Sequence, residues 1–163
     1  MVDFVGAGCG AADLITVRGK KLIENADVLI YAGSLVNPEL TKYAKNSCEI
    51  YNSAYMTLDE VIDVMQKAEA EGKNTVRLHT GDPSLFGAIR EQTDRLDELG
   101  TEYRICPGVS SFCGAAAALK AEYTLPEVSQ SVIITRMAGR TPVPEKEGLE
   151  SLASHGTSMV IFL

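Results

Sequence analysis

The chain has 163 residues and a formal net charge of −7, and 45% of its residues are hydrophobic against 23% charged. This balance is typical of a folded globular protein. The sequence has no run of Lys and Arg that would form a basic face, and no apolar stretch long enough to span a bilayer. Neither a nucleic acid nor a membrane is therefore an expected partner.

The cysteines predict neither a zinc site nor a redox pair. They stand at Cys9, Cys48, Cys106 and Cys113 without a CxxC spacing, and the chain has only two histidines. Zinc sites need closely spaced Cys and His ligands, so no metal is expected. The amino terminus has neither the basic start nor the long apolar stretch of a signal peptide. We therefore expect reduced cysteines in a cytoplasmic protein.

Strands and helices alternate along the sequence. Short apolar runs predict strands at residues 2–5, 28–31, 49–51, 75–79, 102–105, 131–135 and 159–163. Helical periodicity and capping signals predict helices at residues 17–26, 38–44, 57–71, 82–99, 110–119 and 149–154. This alternation is typical of an α/β protein, in which helices cover both faces of a mostly parallel sheet.

Local signals mark the ends of two of these helices. Thr57 and Glu60 have the spacing of a capping box, and Gly72 stands where the helix should stop. Asp82 and Pro83 have the form of an N-cap and a first helical turn, which predicts a helix that runs to Leu99.

The composition changes near residue 125, which predicts two domains. Residues 1–124 contain a complete α/β unit, whereas residues 125–163 hold two strands and one helix, which is only the start of a second α/β domain. The sequence stops inside the apolar run 159–163. A bare hydrophobic strand at a terminus invites aggregation, so we expect the chain to be a truncated form of a longer one.

Three glycine-containing segments follow predicted strands, at the end of an open α/β sheet where ligands bind. The first, residues 6–11, reads Gly-Ala-Gly-Cys-Gly-Ala and fits a loose dinucleotide fingerprint. A NAD site also needs an acidic residue after the second strand, where this chain has Tyr31-Ala32-Gly33-Ser34. A tight strand-to-helix turn is the alternative, and an ATP P-loop is excluded because no Gly-Lys-Ser/Thr follows.

The other two segments, residues 77–87 and 106–111, offer polar groups to a ligand. Gly81 allows close approach to the backbone, Asp82 can accept hydrogen bonds from an amine, and the amides that follow can hold a carboxylate. Ser110 and Ser111 add two hydroxyl groups after the fifth predicted strand. This set suits a zwitterion such as the methionine part of S-adenosylmethionine. Simple helix capping by Asp82 and Ser110 is the alternative.

The order of the three segments resembles that of the tetrapyrrole methylase family. The resemblance extends over residues 2–163, and the stretches 31–40 and 125–144 are similar to the branch that methylates carbon 11 of precorrin-4. It implies a fold of two α/β domains, a homodimer, S-adenosylmethionine as the methyl donor with S-adenosylhomocysteine as product, and precorrin-4 or cobalt-precorrin-4 as the tetrapyrrole substrate.

The resemblance also implies site residues. The cofactor contacts that it places on this chain are Cys9, Thr80, Gly81, Asp82, Leu85, Ser110, Ser111 and Leu163. Cys9 stands where the family usually has proline. The usual aspartate of the uroporphyrinogen branch is replaced by Ala32, which argues against that branch.

A macrocycle with many carboxylates implies arginines near the cleft. We therefore expect Arg136 and Arg140 to bind substrate, with solvated loop charges as the alternative. Gly33, Ser34 and Asn37 are further candidates for the substrate trough. His79 is a candidate general base, with a residue packed under the loop as the alternative. Two other hypotheses stay open: a methylase that acts on another ring position, and a non-catalytic ligand-binding or dimerisation fragment.

Overall fold

The computed structural model describes residues 1–139 and 141–163, which divide into one unit of residues Met1–Gly114 and another of residues Ala115–Leu163. The strands of the first unit are β1 (Val2–Gly6), β2 (Val28–Tyr31), β3 (Glu49–Asn52), β4 (Thr75–His79) and β5 (Tyr103–Cys106). Its helices are α1 (Val17–Asn25), α2 (Leu58–Ala70) and α3 (Arg90–Glu98), and short 3₁₀ turns cover Ala12–Leu14, Pro38–Tyr43 and Ser53–Tyr55.

The division between the units falls inside a further helix, α4 (Ser111–Leu119). The domain boundary that the sequence suggests, between residues 124 and 125, concerns the domains of the protein and stays a prediction.

The five strands of the first unit form one parallel sheet in the order β3-β2-β4-β1-β5. The chain leaves β1 toward one side to form β2 and later reaches the other side as β5. Such a reversal of direction creates a crevice at the carboxyl ends of the strands, where open α/β sheets bind ligands. The predicted α/β fold with a mostly parallel sheet is confirmed.

Helices cover both faces of this sheet, as expected for parallel strands. One face is packed with α1 and the turn at residues 38–43, and the other with α2 and α3. The buried side chains of the first core include Val5, Ile23, Leu29, Leu40 and Leu78, and those of the second include Phe4, Ile30, Ile62, Met65 and Leu96. The core is mostly aliphatic, and its close packing fixes the ends of the strands in position.

The capping box predicted for α2 is present. The Thr57 hydroxyl accepts the Glu60 N–H, and the Glu60 carboxylate accepts the Thr57 N–H at 2.7 Å. Gly72 follows the helix with φ +69°, a left-handed conformation that glycine adopts at little cost. Most other element boundaries lie within two residues of their predicted positions.

The helix predicted from Asp82 to Leu99 is wrong in its first half. Helix α3 begins only at Arg90, and the preceding residues form a non-helical turn. Phe86 and Ala88 have φ values of 54° and 51°, which right-handed helix cannot contain. Asp82 and Pro83 therefore do not start a helix, and no helical first turn lies there to bind a carboxylate.

The second unit contains a two-stranded parallel sheet of β6 (Val132–Arg136) and β7 (Ser158–Phe162). Helix α5 (Leu149–Ala153) and a 3₁₀ turn at Glu145–Glu147 lie between these strands in the chain. The Ser158 hydroxyl donates to the Tyr123 carbonyl at 2.7 Å, and its amide donates to the Ser129 hydroxyl at 3.0 Å. Across residues 1–139 and 141–163, no helix has the length and apolar character needed to cross a membrane.

Candidate cofactor site

Three loops meet at the carboxyl edge of the first sheet, because they follow the adjacent strands β4, β1 and β5. The loops after β1 and β4 pair directly: the Gly8 N–H donates to the Gly81 carbonyl at 3.2 Å, and the Gly81 N–H donates to the Gly8 carbonyl at 3.1 Å. The Ala7 N–H also donates to the His79 carbonyl, at 2.7 Å. The first glycine segment is thus tied to the second by backbone bonds.

The loop after β5 packs against these two through glycine. A Cβ atom added to Gly6 would lie 2.6 Å from the Cα of Gly108 and 2.6 Å from the Gly81 carbonyl oxygen. Both neighbours are backbone atoms that cannot move aside as a side chain would. The absence of a side chain at Gly6 and Gly108 therefore lets three backbones come into contact. We refer to this arrangement of the loops after β1, β4 and β5 as the three-loop edge.

Asp82 connects two of these loops through its side chain. Its Oδ2 accepts the Gly108 N–H at 2.9 Å, and its Oδ1 accepts the Ser84 N–H at 2.8 Å as well as the Ser84 hydroxyl. Both carboxylate oxygens thus bind the protein itself. The expectation that Asp82 caps a helix is wrong, and its carboxylate holds the loop after β5 against the loop after β4.

The surroundings of Asp82 favour its charged form. Burial alone would raise its pKa, but the hydrogen bonds from Ser84 and Gly108 outweigh burial and lower the pKa below its usual 3.8. Asp82 is therefore an anion throughout the neutral range, with its charge at the three-loop edge.

The predicted cofactor residues of the first unit lie close to one another. A Cβ atom on Gly81 would lie 3.6 Å from the Ser110 Cα and 3.7 Å from the Ser111 N. Ser110 is buried, and Ser111 is the exposed first residue of α4. Thr80 precedes Gly81 directly, and the Leu85 N–H donates to the Asp82 carbonyl at 3.1 Å. The segments 80–85 and 110–111 thus form a single patch of small residues, backbone groups and one aliphatic side chain.

Cys9 lies at the same edge. A Cβ atom on Gly114 of α4 would lie 2.7 Å from the Cys9 Cβ and 2.9 Å from its Sγ. Cys9 therefore packs on the first turns of α4, and Gly114 makes room for it. All four cysteines are free thiols.

His79 is poorly suited to act as a general base. It is only 4% exposed and stacks on Phe4 with ring centroids 5.8 Å apart, and among the described residues its Nε2 has no hydrogen-bond partner. Burial and the nearby Arg77 charge lower its pKa to about 3, although a hydrogen bond with the Gly87 backbone opposes this shift. The side chain is thus neutral near pH 7 and has little affinity for a proton. It packs beneath the loop, as in the alternative that the sequence left open.

The candidate substrate residues of the first unit make structural contacts. The Asn37 amide donates to the Gly10 carbonyl at 2.8 Å and accepts the Glu39 N–H at 3.0 Å. Gly33 lies against the Asn52 side chain so closely that a Cβ atom would overlap it. Ser34 is exposed. Asn37 therefore joins the loop after β1 to the one after β2, next to the three-loop edge.

The remaining predicted contacts belong to the second unit. The Arg136 guanidinium donates to the carbonyls of Met137, Thr141 and Pro142 at 2.9–3.1 Å, so it holds the loop that follows β6. Leu163 follows β7 and is fully exposed. Arg140 lies outside the described residues.

Sequence reasoning missed some residues that shape the site. The contact of Asn52 with Gly33 and the buried Arg77–Gln92 hydrogen bond, 2.9 Å long, left no local signal in the sequence. Gly108 stood in one of the three glycine segments, but its contact with Gly6 depends on strand order. In the part of the chain that the structure describes, no group of three or more His, Cys, Asp or Glu side chains could hold a metal ion.

Comparison with known proteins places this arrangement in a family. The chain is 62% identical over 162 residues to the cobalt-precorrin-4 C(11)-methyltransferase of Methanocaldococcus jannaschii, covering 99% of the chain and 62% of that protein. It is 48% identical over 163 residues to the precorrin-4 C(11)-methyltransferase of a Sinorhizobium species, covering 99% of the chain and 64% of that protein. The chain thus spans less than two thirds of the length of both relatives.

Solved structures give the same result for the fold. The crystal structure of a cobalt precorrin-4 methyltransferase of cobalamin biosynthesis matches with a TM-score of 0.95 and 48% identity, covering 99% of this chain and 68% of that one. The sequence profile of the tetrapyrrole (corrin/porphyrin) methylases matches residues 1–163. The chain therefore belongs to the tetrapyrrole methylase family.

Proposed function

We propose that this chain is part of an S-adenosylmethionine-dependent methyltransferase that methylates carbon 11 of precorrin-4 or cobalt-precorrin-4 in cobalamin biosynthesis. The observation that carries the proposal is the three-loop edge, where Gly81, Asp82 and Ser110 come together at the switch point of a parallel sheet. The proposed substrate is taken from the names of the relatives that are 62% and 48% identical to this chain.

The residues at this edge fit the proposed methyl donor. S-adenosylmethionine supplies a methyl group on a positively charged sulfur, which is already a good electrophile. The protein then has to bind and align the two reactants and exclude water. Thr80, Gly81 and Leu85 offer backbone groups and an apolar contact, while Ser110 and Ser111 offer hydroxyl and amide groups at the start of α4.

The charge of the edge also suits this donor. Asp82 is anionic because its hydrogen bonds lower its pKa, and the first amides of α4 form the positive end of the helix dipole. The methionine part of S-adenosylmethionine has a positive amine and a negative carboxylate. Asp82 would attract the amine, and the first amides of α4 would attract the carboxylate. We propose that Asp82 acts on the donor by its field and by holding the loops, since its two oxygens bind Gly108 and Ser84.

Two further features of the proposal come from the family resemblance. We propose that the protein works as a homodimer and that it is cytoplasmic, which the four free cysteines support. Light scattering on the full-length protein tests the proposed dimer. A monomer mass at micromolar concentration would contradict the homodimer.

The proposed reaction is tested with S-adenosylmethionine that carries an isotopically labelled methyl group. The full-length protein is incubated with precorrin-4 and, separately, with cobalt-precorrin-4. We expect one labelled methyl group in the tetrapyrrole by mass spectrometry and at carbon 11 by NMR. A label at another ring carbon would support a different methylase of the family, and no transfer to either substrate would contradict the proposal.

A further inference from the structure

A buried polar cluster lies beneath the turn of residues 83–89, and neither the fold nor the proposed contacts account for it. Arg77 and His79 project from β4 and Gln92 from α3, with exposures of 7%, 4% and 6%. Burial lowers the pKa of Arg77 to about 10. Within the described residues Arg77 donates hydrogen bonds to neutral acceptors, including one from its Nη1 to the Ile30 carbonyl at 3.4 Å, but it has no carboxylate partner, and a buried cation without one is costly. A buried arginine without a carboxylate partner calls for a role.

The cluster binds the turn from below. The Arg77 Nε donates to the Gln92 Oε1 at 2.9 Å, and the Gln92 Nε2 donates to the Ala88 carbonyl at 3.2 Å. The His79 ring forms a hydrogen bond with the backbone of Gly87, the neighbouring residue. Two consecutive residues of the turn are thus held by side chains of the sheet and of α3.

The turn needs this support because its backbone is strained. Phe86 and Ala88 both lie in the left-handed region, with φ values of 54° and 51°. A non-glycine residue in this region is strained and persists only where the surroundings impose the conformation. Gly87 between them packs so tightly that a Cβ atom would lie 2.9 Å from the Pro83 carbonyl carbon. Without the bonds from below, the segment should relax to a less strained conformation.

We infer that Gln92 is a positioning residue, which transmits the fixed position of Arg77 to the turn and thereby sets the Asp82–Leu85 segment of the three-loop edge. The Leu85 N–H donates to the Asp82 carbonyl at 3.1 Å, so the shape of the turn bears on both residues. The consequence for cofactor binding rests on the proposed function, whereas the control of the turn itself does not.

The variant Gln92→Glu distinguishes a role in positioning the turn from a general contribution to the stability of the fold. At pH 8 the new carboxylate still accepts from Arg77, now as an ion pair, but it cannot donate to the Ala88 carbonyl. Gln66→Glu is the matched control, because Gln66 also donates from a helix, to the Thr101 hydroxyl at 2.7 Å, at the other end of the sheet. Gln92→Met, which removes both bonds, is the second variant if Gln92→Glu does not fold.

The first measurement is amide hydrogen exchange without ligand, and the second is the dissociation constant for S-adenosylhomocysteine. For Gln92→Glu we expect exchange of the amides of residues 84–89 to accelerate roughly tenfold and the dissociation constant to rise roughly five- to tenfold, the size of one lost hydrogen bond. The melting temperature should stay near that of Gln66→Glu, and the KM for S-adenosylmethionine should rise more than kcat falls.

Unchanged exchange of the amides of residues 84–89 for Gln92→Glu or Gln92→Met would overturn the inference. Unchanged affinity together with faster exchange would overturn its link to the cofactor site. If the unsubstituted protein did not bind S-adenosylhomocysteine at all, the proposed function would fail, and the exchange measurement alone would decide whether Gln92 positions the turn.

Discussion

At the scale of single residues, the carboxylate of Asp82 makes more structural contacts in the site than its place in the sequence indicates. Asp-Pro-Ser after a strand is compatible with a helix cap, a ligand contact or a turn. The partner that decides among them, the Gly108 N–H, is 26 positions away and 2.9 Å distant. The sequence predicted that Asp82 and Ser110 belong to one site, but it could not predict which atoms the carboxylate would bind.

Asp82→Asn should weaken the three-loop edge. The amide has one acceptor oxygen, so either Gly108 or Ser84 faces an N–H donor instead of an oxygen. We expect the free energy of unfolding to fall by about 1–3 kcal/mol and S-adenosylhomocysteine to bind roughly tenfold more weakly. Denaturant titration and calorimetry measure these changes. Asp63→Asn, an exposed change on α2, is the control and should alter neither.

The same carboxylate predicts a pH dependence with a definite sign. The folded pKa of Asp82 is below its usual 3.8, so its contribution to stability is fully present above that pH and is lost as the pH falls through the folded value. The difference in unfolding free energy between the unsubstituted protein and Asp82→Asn should therefore shrink below about pH 4. A difference that is constant from pH 7 to pH 2 would contradict the assigned hydrogen bonds.

Gly108→Ala tests the contact between backbones. A Cβ atom at this position would lie 2.7 Å from the Gly6 Cα, where no side chain can give way. We expect a loss of about 1–3 kcal/mol of stability, as for other overpacked sites, together with loss of S-adenosylhomocysteine binding. A Cβ atom on Gly139 would have no atom of the other described residues within 4 Å, so Gly139→Ala is the control and should be neutral in both measurements.

At the scale of elements, local signals were sufficient where the deciding contacts are local. The capping box of α2 joins residues three apart, and both bonds form as predicted. The turn of residues 83–89 shows the opposite case. Its left-handed Ala88 is held by Gln92, which in turn accepts from Arg77, and the amino-acid types in the turn do not predict that support. Tertiary contacts overrode a helix signal that was locally reasonable.

Thr57→Ala should lower the free energy of unfolding by about 1 kcal/mol, because the Glu60 N–H at the first turn of α2 loses its acceptor. Thr57→Ser keeps the hydroxyl and should keep most of the stability. Chemical denaturation compares the two. Equal losses in both variants would show that the cap bond is not the cause.

At the scale of the whole molecule, the sequence predicted the parallel sheet, the family and the segments that meet at its edge. The sheet follows from the alternation of elements, and the meeting of the segments follows from their places after strands, whereas the family rests on the resemblance of those segments and of residues 31–40 and 125–144. The close approach of the loops after β4 and β5 depends on β1 lying between those strands, which strand order alone determines. The contacts within each segment follow from tertiary packing and could only be found in the structure.

The central claim is that the three-loop edge binds S-adenosylmethionine, and amide chemical shifts test it most directly. The isotopically labelled chain of 17.5 kDa is titrated with S-adenosylhomocysteine, a method that also detects weak binding. We predict shift changes concentrated at residues 8–10, 80–85 and 109–111, and little change with NAD. No change with S-adenosylhomocysteine, or changes confined to the amino ends of the strands, would contradict the account.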